Sequence, residues 1–272
     1  MLILGISAFY HDSAATLIND EKIIAAVQEE RFTRIKHDPN FPINSIKYVL
    51  KENNSSLEKI DAIIFYEKPF LKFERLIETY ILNSPKGFSS FIKAMPIWLK
   101  DKLFQKKLII EKLKTISKNF DSKKIFFSQH HMSHSASAFF PSPFEKAVIL
   151  TLDGVGEWAS STVAIGNKNK IVLKKEINFP HSLGLLYSAF TYYLGFKVNS
   201  GEYKVMGLAP YGSAKYKDLI FSKLIDLKED GSFKLNQSYF NYSSGLTMTN
   251  KKFSKLFGHP VRDPKKDLLN DF

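Results

Sequence analysis

Apolar and polar positions alternate over residues 2–30 in three short runs that polar turns separate. This alternation predicts strands over residues 2–7, 13–18 and 23–28, and the corner over 19–22 has the chemistry of a hairpin. A helical pattern opens at Pro42, and the apolar run over 61–67 is typical of a buried parallel strand. The chain therefore begins with a predicted β-meander that leads into a helix and a further strand.

The pattern over residues 70–119 is helical, and we expect breaks near Pro85 and Pro96. A short strand is predicted over 125–127, followed by a helix over 130–140 that Pro141 and Pro143 stop. Further helices are predicted over 182–194, 215–227 and 250–256, with a turn at 230–231 and a glycine-bounded segment at 201–212.

The opening pattern starts again in the second half of the chain. Residues 149–176 resemble residues 3–30 in the order strand, small-residue turn, strand, polar corner, strand. A duplication predicts two similar α/β lobes, over 1–144 and 145–272. The alternative is coincidence, because antiparallel meanders are common. No strong parallel strands follow residue 212, so we expect the second lobe to be incomplete in this sequence.

Composition narrows the classes of protein. The 272 residues are 44% hydrophobic and 14% aromatic, which excludes disordered and fibrous proteins. Cysteine is absent, so any metal would be held by His and carboxylates. The N-terminus lacks the cationic leader of a signal peptide, and no apolar run reaches roughly 18 residues, so we expect a cytoplasmic protein without a membrane partner.

The formal net charge is +12, and residues 92–124 contain ten Lys against three acidic residues. A basic helix of this kind could bind RNA, anionic lipid or an acidic partner. The stretch contains no Arg, and its apolar residues recur at helical spacing. We therefore favour a solvated Lys face over a packed apolar face.

Two histidines with helical spacing form the sharpest candidate site. His130 and His134 are four residues apart, so on a helix they share one face. Asp153 follows at the end of a predicted strand, where its carboxylate could return toward that helix. Two imidazoles and a carboxylate suit Fe(II), Zn or Mn. The alternative is that one histidine caps the helix and the other packs as a polar residue.

Glycines follow Asp153 directly in the sequence DGVGE. Gly154 and Gly156 could let the backbone approach a phosphate and offer it amide N–H groups. The alternative is a tight turn between two strands, which short glycine segments form more often.

The first half of the chain offers two further candidates. His11 lies in the turn after the first predicted strand and could act as a general acid or base. Arg31, Arg34 and Lys36 are close in sequence and could hold a phosphate or carboxylate. A surface histidine and a solvated charged loop are the plain alternatives.

Six motifs occur in the order seen in carbamoyltransferases of the NodU/CmcH type: ILGISAFYHDSAA, EERFTRIKH, QHHMSHSASAFF, LTLDGVGEW, SLGLLYSAFTYYLG and GEYKVMGLAPYG. The chain resembles the N-terminal part of these enzymes. The resemblance implies an α/β fold of duplicated actin-like (ribonuclease H-like) lobes, shared with the tRNA threonylcarbamoyl transferases.

The resemblance also implies a reaction and its residues. Carbamoyl phosphate and ATP give carbamoyl adenylate in a C-terminal YrdC-like domain, and the N-terminal domain passes the carbamoyl group to a hydroxyl of a small molecule or sugar. His130, His134 and Asp153 match metal ligands, with Fe(II) favoured over Zn or Mn, and His11 matches the catalytic histidine. Residues matched to substrate or phosphate binding are Lys36, Gly154, Gly156, Glu157, Glu202 and Lys204.

The sequence departs from this family at its end, because a further metal-binding Asp and the YrdC-like domain lie downstream in the family. We expect the chain alone to be incomplete or inactive, completed in cis or in trans, and able to form a homodimer. Two alternatives stay open: a tRNA-modifying threonylcarbamoyl-type transferase, and a non-catalytic RNA-binding or partner-binding fragment. We expect no nucleic-acid partner.

Overall fold

A computed structural model describes residues 1–99 and 104–266 of the chain. Its strands are β1 (Leu2–Ser7), β2 (Ala14–Asn19), β3 (Lys22–Gln28), β4 (Ala62–Phe65), β5 (Ile125–Phe127), β6 (Lys146–Leu152), β7 (Ala159–Asn167), β8 (Lys170–Asn178), β9 (Ile225–Leu227) and β10 (Phe233–Leu235). Its α-helices are α1 (Glu30–Thr33), α2 (Ile43–Glu52), α3 (Pro69–Asn83), α4 (Phe88–Ile97), α5 (Gln105–Lys114), α6 (His130–Phe139), α7 (Leu183–Tyr193), α8 (Glu202–Leu208), α9 (Lys217–Lys223) and α10 (Lys251–Phe257).

The chain divides into two compact units. Unit 1 comprises Met1–Phe73 and Pro96–Ser133, and unit 2 comprises Glu74–Met95 and His134–Phe272. The division passes through α6, which is one continuous helix. The predicted lobes over 1–144 and 145–272 stay a prediction.

Unit 1 is built on a five-stranded sheet of order β3-β2-β1-β4-β5. The three strands of the meander are antiparallel, and β4 and β5 continue the sheet in parallel from β1. The central strand buries Leu2, Leu4 and Ile6 on one face, as its alternation predicts. The mixed α/β class and the meander are therefore confirmed.

Four of the ten Lys residues of the Lys-rich stretch lie on α5. Ile109 and Leu113 are fully buried, whereas Lys106 and Lys107 on the same helix are exposed. This is the solvated Lys face over a packed apolar face that the spacing predicts. Lys100 and Lys102 of the stretch lie outside the described residues.

Unit 2 contains a second antiparallel meander of order β6-β7-β8. Ile149 pairs with Ala164 across β6 and β7, and both pack with Phe139 of α6. Gly166 is required at this contact, because a Cβ there would lie 2.5 Å from the Phe139 ring. In the described residues, β6 pairs with β7 alone.

A second core of unit 2 gathers α7, α9, α10 and the β9–β10 hairpin around Phe253 and Leu224, both fully buried. The predicted helix over 215–227 is wrong at its end, because α9 stops at Lys223 and residues 225–227 form β9. The Asp230-Gly231 turn lets β10 return beside these residues, so hairpin pairing wins over helical continuation.

The described part of the long predicted helical stretch forms helices α3, α4 and α5. The break near Pro85 is confirmed, and Pro96 is the residue before the last one of α4. The stretch ends at Lys114 rather than residue 119. Within the described residues, no helix combines the length and the apolar character that crossing a bilayer requires.

Candidate functional site

Helix α6 presents His130 and His134 one turn apart, as their spacing predicts. The His134 Nε2 atom lies 3.7 Å from Oδ2 of Asp153, the residue directly after β6. His130, His134 and Asp153 can each offer one ligand atom, and these atoms lie within 4.8 Å of one another. The helix and the strand that follows it thus bring the three predicted ligands together.

The two oxygens of the Asp153 carboxylate have different neighbours. Oδ1 accepts a hydrogen bond from the Gly154 N–H at 2.6 Å, while Oδ2 faces His134. The Asp153 backbone is also fixed, because its N–H donates to the Ser160 carbonyl and its own carbonyl accepts from Ser182 Oγ. These hydrogen bonds orient the carboxylate from within the chain, so it is preorganised for a ligand beside His134.

The donor set fits a divalent transition metal. Two imidazoles and one carboxylate leave coordination positions for substrate or water, which suits Fe(II), Zn or Mn. The His134 side chain is 51% exposed and that of Asp153 is 29% exposed, so solvent and a ligand can reach this side. The His130 side chain is more enclosed, at 13%.

A buried carboxylate lies behind His130. Glu67, just beyond β4, is 2% exposed, and its Oε2 lies 3.7 Å from His130 Nδ1. Lys72 Nζ donates to the same oxygen at 2.7 Å. Burial acts to raise the pKa of Glu67, but the His130 ring and the Lys72 ammonium lower it to about 2. Carboxylates in this position orient metal-binding histidines in other proteins.

His11 belongs to a second cluster, which two loops of unit 1 form. Its Nδ1 lies 2.8 Å from Asp12 Oδ2, and Asp12 Oδ1 lies 2.9 Å from Nδ1 of His37. Partial burial acts to raise the pKa of Asp12, but the two histidine rings outweigh it and lower the pKa below its usual range. Asp12, Glu30 and His37 offer ligand atoms within 4.8 Å of one another.

The predicted anion-binding residues Arg31, Arg34 and Lys36 lie in this second region with exposed side chains. Arg31 approaches Glu30 at 3.9 Å. The loop therefore presents cations to solvent beside the His11 cluster, where a phosphate or carboxylate could reach them.

The glycine segment after Asp153 is a turn between β6 and β7. The Gly154 N–H donates to Asp153, and the Gly156 N–H donates to the Ala159 carbonyl at 2.9 Å. Arg75 Nη1 donates to the Gly156 carbonyl at 2.9 Å, and Glu157 is buried. Both glycine amides thus have acceptors within the chain, and the phosphate-binding role of Gly154, Gly156 and Glu157 stays a prediction.

Glu202 and Lys204 lie in the first turn of α8. The Glu202 carboxylate accepts from Ser188 Oγ at 2.9 Å and from the Asn199 N–H at 3.0 Å. Lys204 Nζ lies 5.9 Å from the centroid of the Phe196 ring. These contacts tie α7 to α8 inside unit 2, and the substrate role of both residues stays a prediction.

Sequence reasoning missed Glu67, Lys72, Asp12 and His37. Glu67 carries a usable signal, since it ends a predicted parallel strand, and the carboxyl ends of such strands commonly carry site residues. Asp12 and His37 stand in quoted motifs beside His11 and Lys36, but no spacing rule joins positions 25 residues apart.

Comparison with known proteins gives the family context of this geometry. A family model described as "Carbamoyltransferase N-terminus" matches residues 2–271. An uncharacterised protein of Synechocystis sp. is 59% identical over 268 residues, which is 98% of this chain and 44% of that protein.

Two more distant relatives extend the picture. The nodulation protein NolNO of Sinorhizobium fredii is 38% identical over 232 residues, covering 84% of this chain and 32% of NolNO. An uncharacterised protein of Methanocaldococcus jannaschii is 30% identical over 233 residues, covering 86% of this chain and 37% of that protein. The chain thus spans less than half the length of these relatives.

Proposed function

The chain belongs to the carbamoyltransferase family through its N-terminal domain, in agreement with the resemblance, and from this premise we propose that it serves O-carbamoyl transfer. The donor is carbamoyl adenylate, made from carbamoyl phosphate and ATP, and the acceptor is a hydroxyl of a small molecule or sugar in a biosynthetic reaction. The observation that carries this proposal is the convergence of His130, His134 and Asp153.

In the transfer step, the acceptor oxygen forms a bond to the carbamoyl carbon. The bond from that carbon to the adenylate phosphate oxygen breaks, and AMP leaves with the electron pair. The hydroxyl proton passes to the His11 ring, because a neutral imidazole has a ring nitrogen that can act as a general base. The Lys36 side chain is exposed in the neighbouring loop and supplies positive charge for the phosphate of the donor.

A divalent ion bound by His130, His134 and Asp153, with Fe(II) favoured, would polarise the carbonyl or phosphoryl oxygen of the donor. Contacts within the chain already orient two of these ligands. Asp153 is oriented by the Gly154 N–H, and Glu67 stands beside the Nδ1 side of His130. Preorganised ligands lose little entropy on binding, which favours affinity.

We further propose that residues 1–144 and 145–272 form duplicated actin-like lobes and that the second is completed by downstream sequence of the kind its longer relatives contain. The meander β6-β7-β8 repeats the antiparallel order of β1, β2 and β3. In unit 1 the parallel strands β4 and β5 lie beside β1. The corresponding strand β6 exposes Val148, Leu150 and Leu152 on one face, as expected for a surface that further structure covers.

The metal proposal is tested by elemental analysis after anaerobic reconstitution with Fe(II), Mn(II) or Zn(II). We expect about one ion per chain, and strong loss of that ion in His134→Ala and His130→Ala. His259→Ala is the matched control, because His259 is an exposed histidine outside the cluster. Undiminished metal in His134→Ala would contradict the proposal.

The transfer proposal is tested in a complete enzyme that carries these motifs, by AMP release from synthetic carbamoyl adenylate in the presence of sugar hydroxyls. We expect His11→Gln to slow release by about 10²-fold or more, the usual contribution of a general base. An unchanged rate in His11→Gln would remove His11 from the mechanism while leaving the metal result intact.

A further inference from the structure

The His11 cluster is built from two loops with unusual backbone conformations. Phe9 and Asp12 follow β1 with φ of 72° and 48°, and Arg34 and His37 follow α1 with φ of 59° and 58°. Left-handed conformations cost free energy in residues other than glycine and persist where the surroundings enforce them. Such residues concentrate at functional sites, so four of them in two adjacent loops mark the side chains of these loops as functional candidates.

Hydrogen bonds join the two loops into one body. The Phe9 N–H donates to the Pro39 carbonyl at 2.8 Å, and the Ser13 N–H donates to the Asp38 carbonyl at 2.9 Å. Ser13 and Asp38 are almost fully buried. The side chains on these loops are therefore held on a rigid base.

The Asp12 carboxylate is the common acceptor of two imidazoles. An ionised carboxylate has no hydrogen to donate, so the His11 and His37 rings must each carry a proton on Nδ1 to make their contacts of 2.8 and 2.9 Å. His37 Nε2 is buried and has no hydrogen-bond partner among the described residues, so nothing there competes for the ring proton. With a proton on Nδ1, a neutral ring has its lone pair on Nε2.

Three further groups lie around the cluster. The Tyr10 ring packs against the His11 ring with centroids 4.7 Å apart, and Lys72 Nζ lies 5.3 Å from the Tyr10 centroid. Glu30 Oε2 accepts from the backbone N–H of His37 at 3.0 Å rather than from its ring. Asp12 is thus the carboxylate that contacts both imidazoles.

We propose that Asp12 is a positioning residue that fixes His11 as the Nδ1–H tautomer, and that His37 holds Asp12 in place for this task. The inference rests on the proposed function. In that function His11 acts as the base, and the Nδ1–H tautomer leaves its Nε2 free to take the proton from the hydroxyl of the carbamoyl acceptor. When Nε2 takes that proton, His11 becomes an imidazolium beside the Asp12 carboxylate, which stabilises the new charge.

The tautomers can be observed directly by ¹⁵N NMR of histidine-labelled protein, with the His11 and His37 signals assigned from His11→Gln and His37→Gln. When both rings are neutral, we expect each of them to carry its hydrogen on Nδ1. A histidine free in water prefers hydrogen on Nε2, so the expected pattern is distinctive. A wild-type His11 with hydrogen on Nε2 would overturn the inference.

Asp12→Asn is the informative variant, because asparagine tolerates the left-handed conformation and keeps the shape of aspartate. Its amide has one acceptor oxygen and one donor nitrogen, so it cannot accept from both rings. We expect at least one ring to revert to Nε2–H. Both rings retaining Nδ1–H in this variant would overturn the inference.

Asp20→Asn is the matched control. Asp20 is an exposed aspartate of the same unit with φ of 51°, and it bonds the N-terminal amine rather than a histidine. We expect it to leave both tautomers unchanged, and a reversal in this control as large as in Asp12→Asn would overturn the inference.

AMP release separates the inference from the proposed function. We expect Asp12→Asn to slow release by about 10²-fold or more where His11 reverts, as loss of a general base does. Reversion of His11 without any slowing would overturn its role as the base, and hence the purpose assigned to Asp12. An unchanged rate in His11→Gln, with the tautomers as expected, contradicts the proposed function and leaves the hydrogen-bond assignment in place.

Discussion

Glu29 caps helix α2 from a distant position in the sequence, and its replacement should destabilise unit 1. Pro42, at the start of α2, has no capping side chain. Glu29 is 2% exposed, and its Oε1 accepts from the N–H and the Nδ2 of Asn44 at 3.1 and 2.8 Å. Oε2 accepts from the N–H and the Oγ of Ser45 at 2.8 and 2.6 Å. The carboxylate thus satisfies first-turn donors and complements the helix dipole.

Glu29→Gln keeps the volume of the side chain but replaces one acceptor oxygen by a donor nitrogen. A backbone N–H of the first turn then loses its acceptor, and the remaining hydrogen bonds lose their charged acceptor; each bond to a buried charge is worth about 1.5 kcal/mol. We expect the free energy of unfolding of unit 1 to fall by about 3 kcal/mol, which is a large part of the stability of an ordinary domain.

Hydrogen exchange of the α2 amides measures this loss locally, and urea unfolding followed by circular dichroism measures it for the chain. Glu21→Gln is the control, since Glu21 is an exposed glutamate in the turn between β2 and β3. We expect that variant to stay within about 0.5 kcal/mol of wild type. A Glu29→Gln variant as stable as Glu21→Gln would refute the capping argument.

Three further changes test other parts of the structure. Glu67→Gln should weaken metal binding about 10-fold to 100-fold in chelator competition, because the carboxylate faces His130 Nδ1; equal affinity would show that Glu67 does not act on the ligand. Gly184→Ala should destabilise unit 2 by about 2 kcal/mol in thermal unfolding, because its Cβ would lie 2.5 Å from the Asp153 carbonyl oxygen. Gly207→Ala is the control and should be tolerated, because no atom lies within 4 Å of the added Cβ. Equal destabilisation by Gly184→Ala and Gly207→Ala would contradict the steric argument. Partial burial acts to raise the pKa of Glu202, but its hydrogen bonds, led by the Asn199 N–H, lower it below 4.5. This carboxylate therefore stabilises the fold above its unfolded pKa, and that stability is lost as pH falls through the lower folded pKa. Between about pH 5 and pH 3, Glu202→Gln should therefore lose less free energy of unfolding than wild type. An equal loss in the two proteins would show that the Glu202 carboxylate does not contribute to the pH dependence of stability.

Local pattern was sufficient for most elements of unit 1 and for the second meander. Period-two alternation predicted β1 and β2 because each of these strands has one face in the core. Strand β3 was also predicted, although its residues are only partly buried or exposed. Helix α7 was predicted over 182–194, and the structure shows that Ser182 caps it, because its Oγ accepts from the Leu185 N–H. The strand β9 was missed because three residues are too few to carry a period, and its pairing with β10 decides its conformation.

The sequence by itself determined the family, the meanders and the helical spacing of His130 and His134. These follow from local periodicity and from motifs read in order along the chain. The tertiary structure alone decided the partners of the predicted residues: Glu67 beside His130, and Asp12 between His11 and His37. It also showed that the Gly154 N–H donates a hydrogen bond to the Asp153 carboxylate. A hydrogen bond depends on distance and direction between atoms that folding brings together, and sequence separation carries neither.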